Sequence, residues 1–288
     1  VKFGIRYANT GPYTNPDAAR DLVRQAEDAG FESVWTVEHV LIPPNYESQY
    51  PYTKDGRIPE ATAQTYIPDP MVWMAYCAAV TERIRFGSAV IVLPMRNPVL
   101  FAKESVTLDN LSNGRLMLGL GSGWLEEEFR ALGCPFADRG RRMDDSIDIL
   151  RYLWGAADDP KIEGFELHDI NMEPKPKNGS IPIHIGGDSK VAARRAGRLG
   201  DGYFPARGYS SELRDTLWRA AETAGRDPEQ IEITVSMPDS EAELEALASL
   251  GVDRVAVPVT SEAGLKQQID GAHDLPKWQR IIEKYQDL

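Results

Sequence analysis

Short apolar runs alternate with longer amphipathic ones along the chain. "KFGIRYA" (2–8), "FESVWTV" (31–37), "RIRFGSAVIV" (83–92) and "RLMLGLG" (115–121) have the length and composition of strands, as do "IPIHIGG" (181–187), "DGYFPA" (201–206), "IEITVSM" (231–237) and "VDRVAVPV" (252–259). Helical periods fall at 15–30, 69–80, 97–112, 189–199, 210–224, 240–250 and 261–286, and helical sequence also follows the fourth strand to about Trp154. Asn15 suits the cap of the first helix, Pro16 its first turn and Gly30 its end. Consecutive β-then-α units predict a parallel sheet, and eight of them in this length predict a closed (β/α)8 TIM barrel. No linker rich in Pro, Gly or Ser divides the chain, so one domain over 1–288 is expected. Two segments interrupt the rhythm: 38–68 after strand two, rich in Pro and Tyr, and 155–180 before strand five. Loops after barrel strands build active sites. The 38–68 insertion is therefore expected to form a wall or lid, and 155–180 to decorate the structure.

Composition narrows the functions. The chain has 288 residues, 42% of them hydrophobic, enough for a large core. No run of 18 apolar residues predicts a membrane span, and the first residues turn polar too early for a signal peptide. A cytoplasmic protein with no membrane partner is expected. A net charge of −12 disfavours nucleic acid as a partner. Two cysteines, Cys77 and Cys134, imply neither a disulfide framework nor a zinc site, and no metal is expected.

Candidate chemistry starts at "LMLGLGSGWLEEEF" (116–129). A dinucleotide fingerprint needs glycine at its first, third and sixth positions. Here Gly119 and Gly121 fill two of them, and Trp124 takes the sixth. The better reading is a strand end bare of Cβ atoms where a flat ligand can lie, the alternative being a tight turn. "GGDS", Gly186 to Ser189, opens a helix whose free N–H groups suit phosphate. Ser189 can add a hydroxyl and Arg194 or Arg195 charge, while ordinary helix capping stays open as the alternative.

Three ordered blocks carry a family likeness: "FESVWTVEHV" (31–40), "TERIRFGSAVIVLPMRNPVLFAKESVTLDNLSNGRLMLGLGSGWLEEEF" (81–129) and "PIHIGGDSKVAARRAGRLGDGYF" (182–204). They resemble the bacterial luciferase-like monooxygenase superfamily, most of all its actinobacterial coenzyme F-420-dependent oxidoreductases. The resemblance implies an α/β barrel with a flavin or deazaflavin across its C-terminal mouth. It puts the cofactor phosphate at Gly186, Gly187, Asp188 and Ser189, and sets Gly121 and Ser122 along the cofactor. It implies a non-proline cis peptide near Ser88, Ala89 and Val90 behind the ring, and gives Arg96 the cofactor's anionic tail. His39 is implied as the catalytic acid or base, with Glu38 orienting it. Trp124 stands where sugar-phosphate dehydrogenases of the group carry an acid, so an apolar or aromatic substrate pocket is expected instead. His184, inside strand five, is expected to be core.

The cofactor implied is F-420, passing a hydride to or from a small-molecule substrate. The alternative is FMN, reduced by a separate reductase and used by a two-component monooxygenase of the alkanesulfonate or aldehyde type. A third reading is a flavin-binding protein without turnover. A homodimer is expected from the family.

Overall fold

The computed structural model describes residues 1–59, 61–205, 208–259, 269 and 271–288. Strands β1 (Lys2–Arg6), β2 (Ser33–Thr36), β3 (Arg85–Ser88), β4 (Ile91–Val92), β5 (Leu116–Gly121), β6 (Ile183–Gly186), β7 (Gly202–Phe204), β8 (Glu232–Ser236) and β9 (Arg254–Pro258) all pair in parallel. Their order is β3-β2-β1-β9-β8-β7-β6-β5-β4, and β3 also pairs with β5, which closes the ring. Strands β3 and β4 are two pieces of one stave. The barrel therefore has the eight staves that the apolar runs predict.

Helices α1 (Pro16–Asp28), α2 (Pro70–Ala78), α3 (Pro98–Leu111), α4 (Glu126–Ala131), α5 (Arg139–Trp154), α6 (Lys190–Leu199), α7 (Ser211–Thr223), α8 (Glu241–Ser249) and α9 (Leu275–Tyr285) follow the staves in turn. Asn15 caps α1 by accepting from the amides of Asp17 and Ala18. The helix expected to run on to Trp154 is instead two, because Gly133, with φ +68°, and Pro135 break it. Of the predicted strand 201–206, Ala206 lies outside the described residues. So do 261–268 and 270 of the predicted last helix. The segments 37–69 and 155–182 hold no helix or strand among the described residues. No helix among those residues is long and apolar enough to cross a membrane.

The barrel interior is filled by Trp35, Met117, Phe204 and Ala256, with Ala89 packed against them. The indole of Trp35 takes the space where Gly87 has no Cβ, and its N–H donates to Ser33 Oγ at 2.9 Å. Beneath it lies Arg254, fully buried, whose guanidinium reaches Glu32 at 2.8 and 2.9 Å, Glu232 at 3.3 Å and Thr234 at 3.0 Å. A buried cation needs such partners. His184 is fully buried beside Trp35, with ring centroids 5.3 Å apart. Burial and then the Arg254 charge push its imidazole down to about 3, so it stays neutral in the core.

The third stave breaks where its backbone meets the fourth, strand β5. Ala89–Val90 is a cis peptide bond without proline. Ser88 Oγ donates to the Gly119 carbonyl at 2.8 Å and accepts the Gly119 amide at 3.1 Å. A Cβ on Gly119 would overlap the Ser88 carbonyl oxygen, and one on Gly121 or Gly186 would overlap the Val90 side chain. The missing Cβ atoms at Gly119 and Gly121 thus make room for the chain's own third stave, a use not anticipated from the sequence.

Gly119→Ala should therefore cost about 3 kcal/mol or more, since backbone cannot yield as a side chain does. Gly208→Ala, which meets none of the described residues within 4 Å, should stay within about 0.5 kcal/mol. Urea denaturation of both variants measures the difference, and equal midpoints would refute the packing argument.

Candidate active site at the barrel mouth

The C-terminal ends of the staves carry the candidate residues. His39 and Glu38 follow β2, Ser88 ends β3 with Ala89 and Val90 leading on to β4, Gly121 ends β5 with Ser122 next to it, and Gly186 ends β6 with Gly187 to Ser189 leading into α6. The structure thus brings the expected residues to one end of the barrel. Their partners are in part different ones.

Glu38 does not orient His39. It is buried and turned to the opposite side, where it holds the Arg96 guanidinium in a short ion pair and accepts the Val92 amide at 2.6 Å. Burial pushes its carboxyl up against the opposing pull of Arg96. Arg96 also reaches Asp69 at 2.9 Å and Glu104 at 3.8 Å. Burial opposes its charge, but Glu38 and Asp69 hold it firmly in the charged form. The guanidinium expected to meet an anionic tail is occupied by three carboxylates of its own chain.

His39 is held by a residue that the sequence reading left without a role. Glu128, 2% exposed, lies 3.1 Å from His39 Nδ1 through Oε2. Its Oε1 accepts the amides of Val40 at 2.6 Å and Leu41 at 3.3 Å. The signal was in "WLEEEF": three acids on the first turn of a helix point in different directions, so one of them can turn inward. Glu126 faces solvent. Glu127 accepts the Glu47 amide at 2.7 Å, the Ser48 amide at 3.3 Å and the Ser48 hydroxyl at 2.7 Å. Partial desolvation would raise the Glu127 carboxyl, but these donors bring it down to about 2. It is thus ionised throughout the neutral range.

Trp124 completes the hold on the insertion. Its ring meets His39, Tyr46 and Tyr50 edge-on, with centroids 6.1, 5.7 and 5.1 Å apart. Tyr50 packs on Tyr52 at 5.3 Å, and the Tyr52 hydroxyl lies beside Gly187. The insertion therefore forms an aromatic row from His39 to the start of α6.

At that far end Ser189 caps α6 by accepting the Ala192 amide at 3.1 Å. Gly187, at φ +121°, turns the chain into the helix. Helix geometry leaves the first-turn amides without partners in the helix, which suits a phosphate. Arg195 turns away to Asp144 on α5 and adds no charge here. Val90 lies across Gly121 and Gly186 and floors the space between the two ends. These residues fit a phosphate-bearing planar cofactor: an open helix start for the anion, and an apolar floor for the ring.

A sequence profile of luciferase-like monooxygenases matches residues 3–275. An uncharacterised protein of Mycobacterium tuberculosis is 37% identical over 195 residues, 67% of this chain and 66% of that protein's length. An F-420-dependent glucose-6-phosphate dehydrogenase of Amycolatopsis mediterranei is 29% identical over 272 residues, covering 90% of this chain and 76% of the relative. A solved F-420-dependent secondary alcohol dehydrogenase, bound to an F-420–acetone adduct, superposes with a TM-score of 0.73 at 17% identity over 98% of both chains.

Glu127→Ala should free the middle of the insertion. Amide hydrogen exchange over 46–50, read by mass spectrometry at neutral pH, should rise by about tenfold, the loss of roughly 1.4 kcal/mol of local stability. Exchange equal to the parent's would remove Glu127 from the anchoring of the insertion.

Proposed function

The chain belongs to the luciferase-like monooxygenase family, and on that premise we propose that it is an F-420-dependent oxidoreductase acting on a small organic substrate. The observation that carries this reading is the supported histidine at the mouth: His39 rests on a buried carboxylate at one end of an aromatic row whose other end is an open helix start. The relatives named as F-420 dehydrogenases support the choice of cofactor.

Gly186 to Ser189 would hold the cofactor phosphate at the α6 N-terminus, and Ala89 and Val90 would back its ring. The bound deazaflavin supplies hydride transfer. His39 exchanges the matching proton with the substrate, since an imidazole nitrogen can either accept or donate one. Trp124 and Tyr50 exclude water and offer an apolar, aromatic wall. With Trp124 facing rings on three sides, the pocket lacks an acid at this position for a sugar phosphate. FMN is the second cofactor considered, favoured by the family's monooxygenase members. Arg96 is assigned to fixing Glu38 rather than to the cofactor.

Equilibrium titration of the apo-protein with F-420 and FMN, each oxidised and reduced, is expected to favour F-420 by at least about tenfold, or 1.4 kcal/mol. Preference for FMN would replace this reading by the two-component monooxygenase. His39→Ala should lower turnover by about 10²–10⁴-fold with cofactor affinity little changed. Full turnover in that variant would leave His39 outside the chemistry.

We place the expected dimer contact on the outer face of α2 and α3, where Val72, Tyr76, Leu100 and Leu111 are exposed. A Val72→Asp, Leu111→Asp double variant should be monomeric by light scattering while the parent is dimeric. A monomeric parent, or a variant still dimeric, would discard that surface.

A further inference from the structure

We propose that Glu128 is the positioning residue of His39, fixing the imidazole tautomer that leaves Nε2 free to exchange the proton. The inference rests on the reading of His39 as the proton-transfer group. It concerns a residue on a different element, 89 positions away in sequence.

A carboxylate 2% exposed has left water, so both oxygens need donors. Oε1 has two, the amides of Val40 and Leu41. Those two donors leave Oε2 for the imidazole, and in the proposed pair Glu128 is the ionised partner, which accepts and cannot donate. The group facing Oε2 at 3.1 Å must then donate, and that group is His39 Nδ1. A neutral imidazole carries one N–H. With the hydrogen at Nδ1, Nε2 keeps its lone pair. The Trp124 ring lies edge-on to the imidazole, with centroids 6.1 Å apart.

The same carboxylate also secures the root of the insertion, since Val40 and Leu41 begin it. One side chain thus sets both where the insertion starts and which nitrogen of His39 faces outward. Glu127 secures the insertion farther along, at Glu47 and Ser48, and does not touch His39. The neighbouring acid is therefore a built-in control.

The test needs neither cofactor nor substrate for its first reading. Long-range proton–nitrogen NMR of the uniformly ¹⁵N-labelled protein, above the pH at which the rings are protonated, reports the tautomer of each of the four histidines. Loss of one signal set in His39→Gln assigns His39. The parent should carry its hydrogen on Nδ1. In Glu128→Gln the amide oxygen can still accept from Val40 and Leu41 while its NH₂ donates to Nδ1. The tautomer should then flip to Nε2–H, and turnover should fall by about 10²–10⁴-fold with KM nearly unchanged. Glu127→Gln should leave the tautomer alone. A parent with hydrogen on Nε2 would overturn the proposal even if Glu128→Gln fails to fold. An unflipped Glu128→Gln would overturn it as well. A flipped tautomer with full turnover would instead overturn the role of His39 itself, and with it the catalytic meaning of the pair.

Discussion

The close approach of Ser88 to Gly119 shapes the mouth of this barrel. A carbonyl from the third stave points at a position on the fourth where only hydrogen fits. The Ser88 hydroxyl bonds both the amide and the carbonyl of Gly119. With the backbone fixed there, the stave divides into β3 and β4. Ala89 packs against the Trp35 cluster below, and Val90 lies across two further glycines, Gly121 and Gly186. One pair of residues thus decides the floor of the site and the need for glycine on two neighbouring strands. Packing in a dense interior leaves little room for compromise at such points.

Above that floor, a short acidic helix organises the rest. Carboxylates on the first turn of α4 sit where the helix dipole favours negative charge. Glu127 and Glu128 use that position to collect amides from a segment with no helix or strand among its described residues. Backbone groups in an irregular segment must be satisfied somehow, and here α4 satisfies several of them. The aromatic row on Trp124 adds apolar contact to the same attachment. The insertion is held by many modest interactions to one element, which makes that element the natural place to adjust the site.

The staves were legible because apolar runs of strand length recur between helical periods, and burial of both strand faces in a parallel barrel enforces those runs. The irregularity in the third stave was legible in place, through the family likeness that implied a cis peptide near Ser88, Ala89 and Val90. Its reason was not legible. Glycines at 119 and 121 look the same in sequence whether they admit a ligand or another strand, and only the three-dimensional neighbour tells them apart. The pairing at His39 failed for a related cause. Glu38 is its sequence neighbour, but successive residues of an extended chain point to opposite sides, so the partner had to come from elsewhere. Glu128 was one of three consecutive acids, and nothing local marks which of them turns inward. Arg96 was read as a free cation because sequence does not show that Glu38, Asp69 and Glu104 converge on it.

The site therefore divides by origin. The barrel contributes the apolar floor and the helix start, features set by backbone and small residues and tolerant of few changes. The insertion and α4 contribute the histidine, its carboxylate and the aromatic wall, all of them side chains. A change of substrate can be accommodated in the second set without disturbing the first, because Tyr46, Tyr50 and Trp124 touch one another rather than the strand-three packing. A change at Gly119 has no such freedom. The glycines answer to the barrel, and the tryptophan answers to the insertion it anchors.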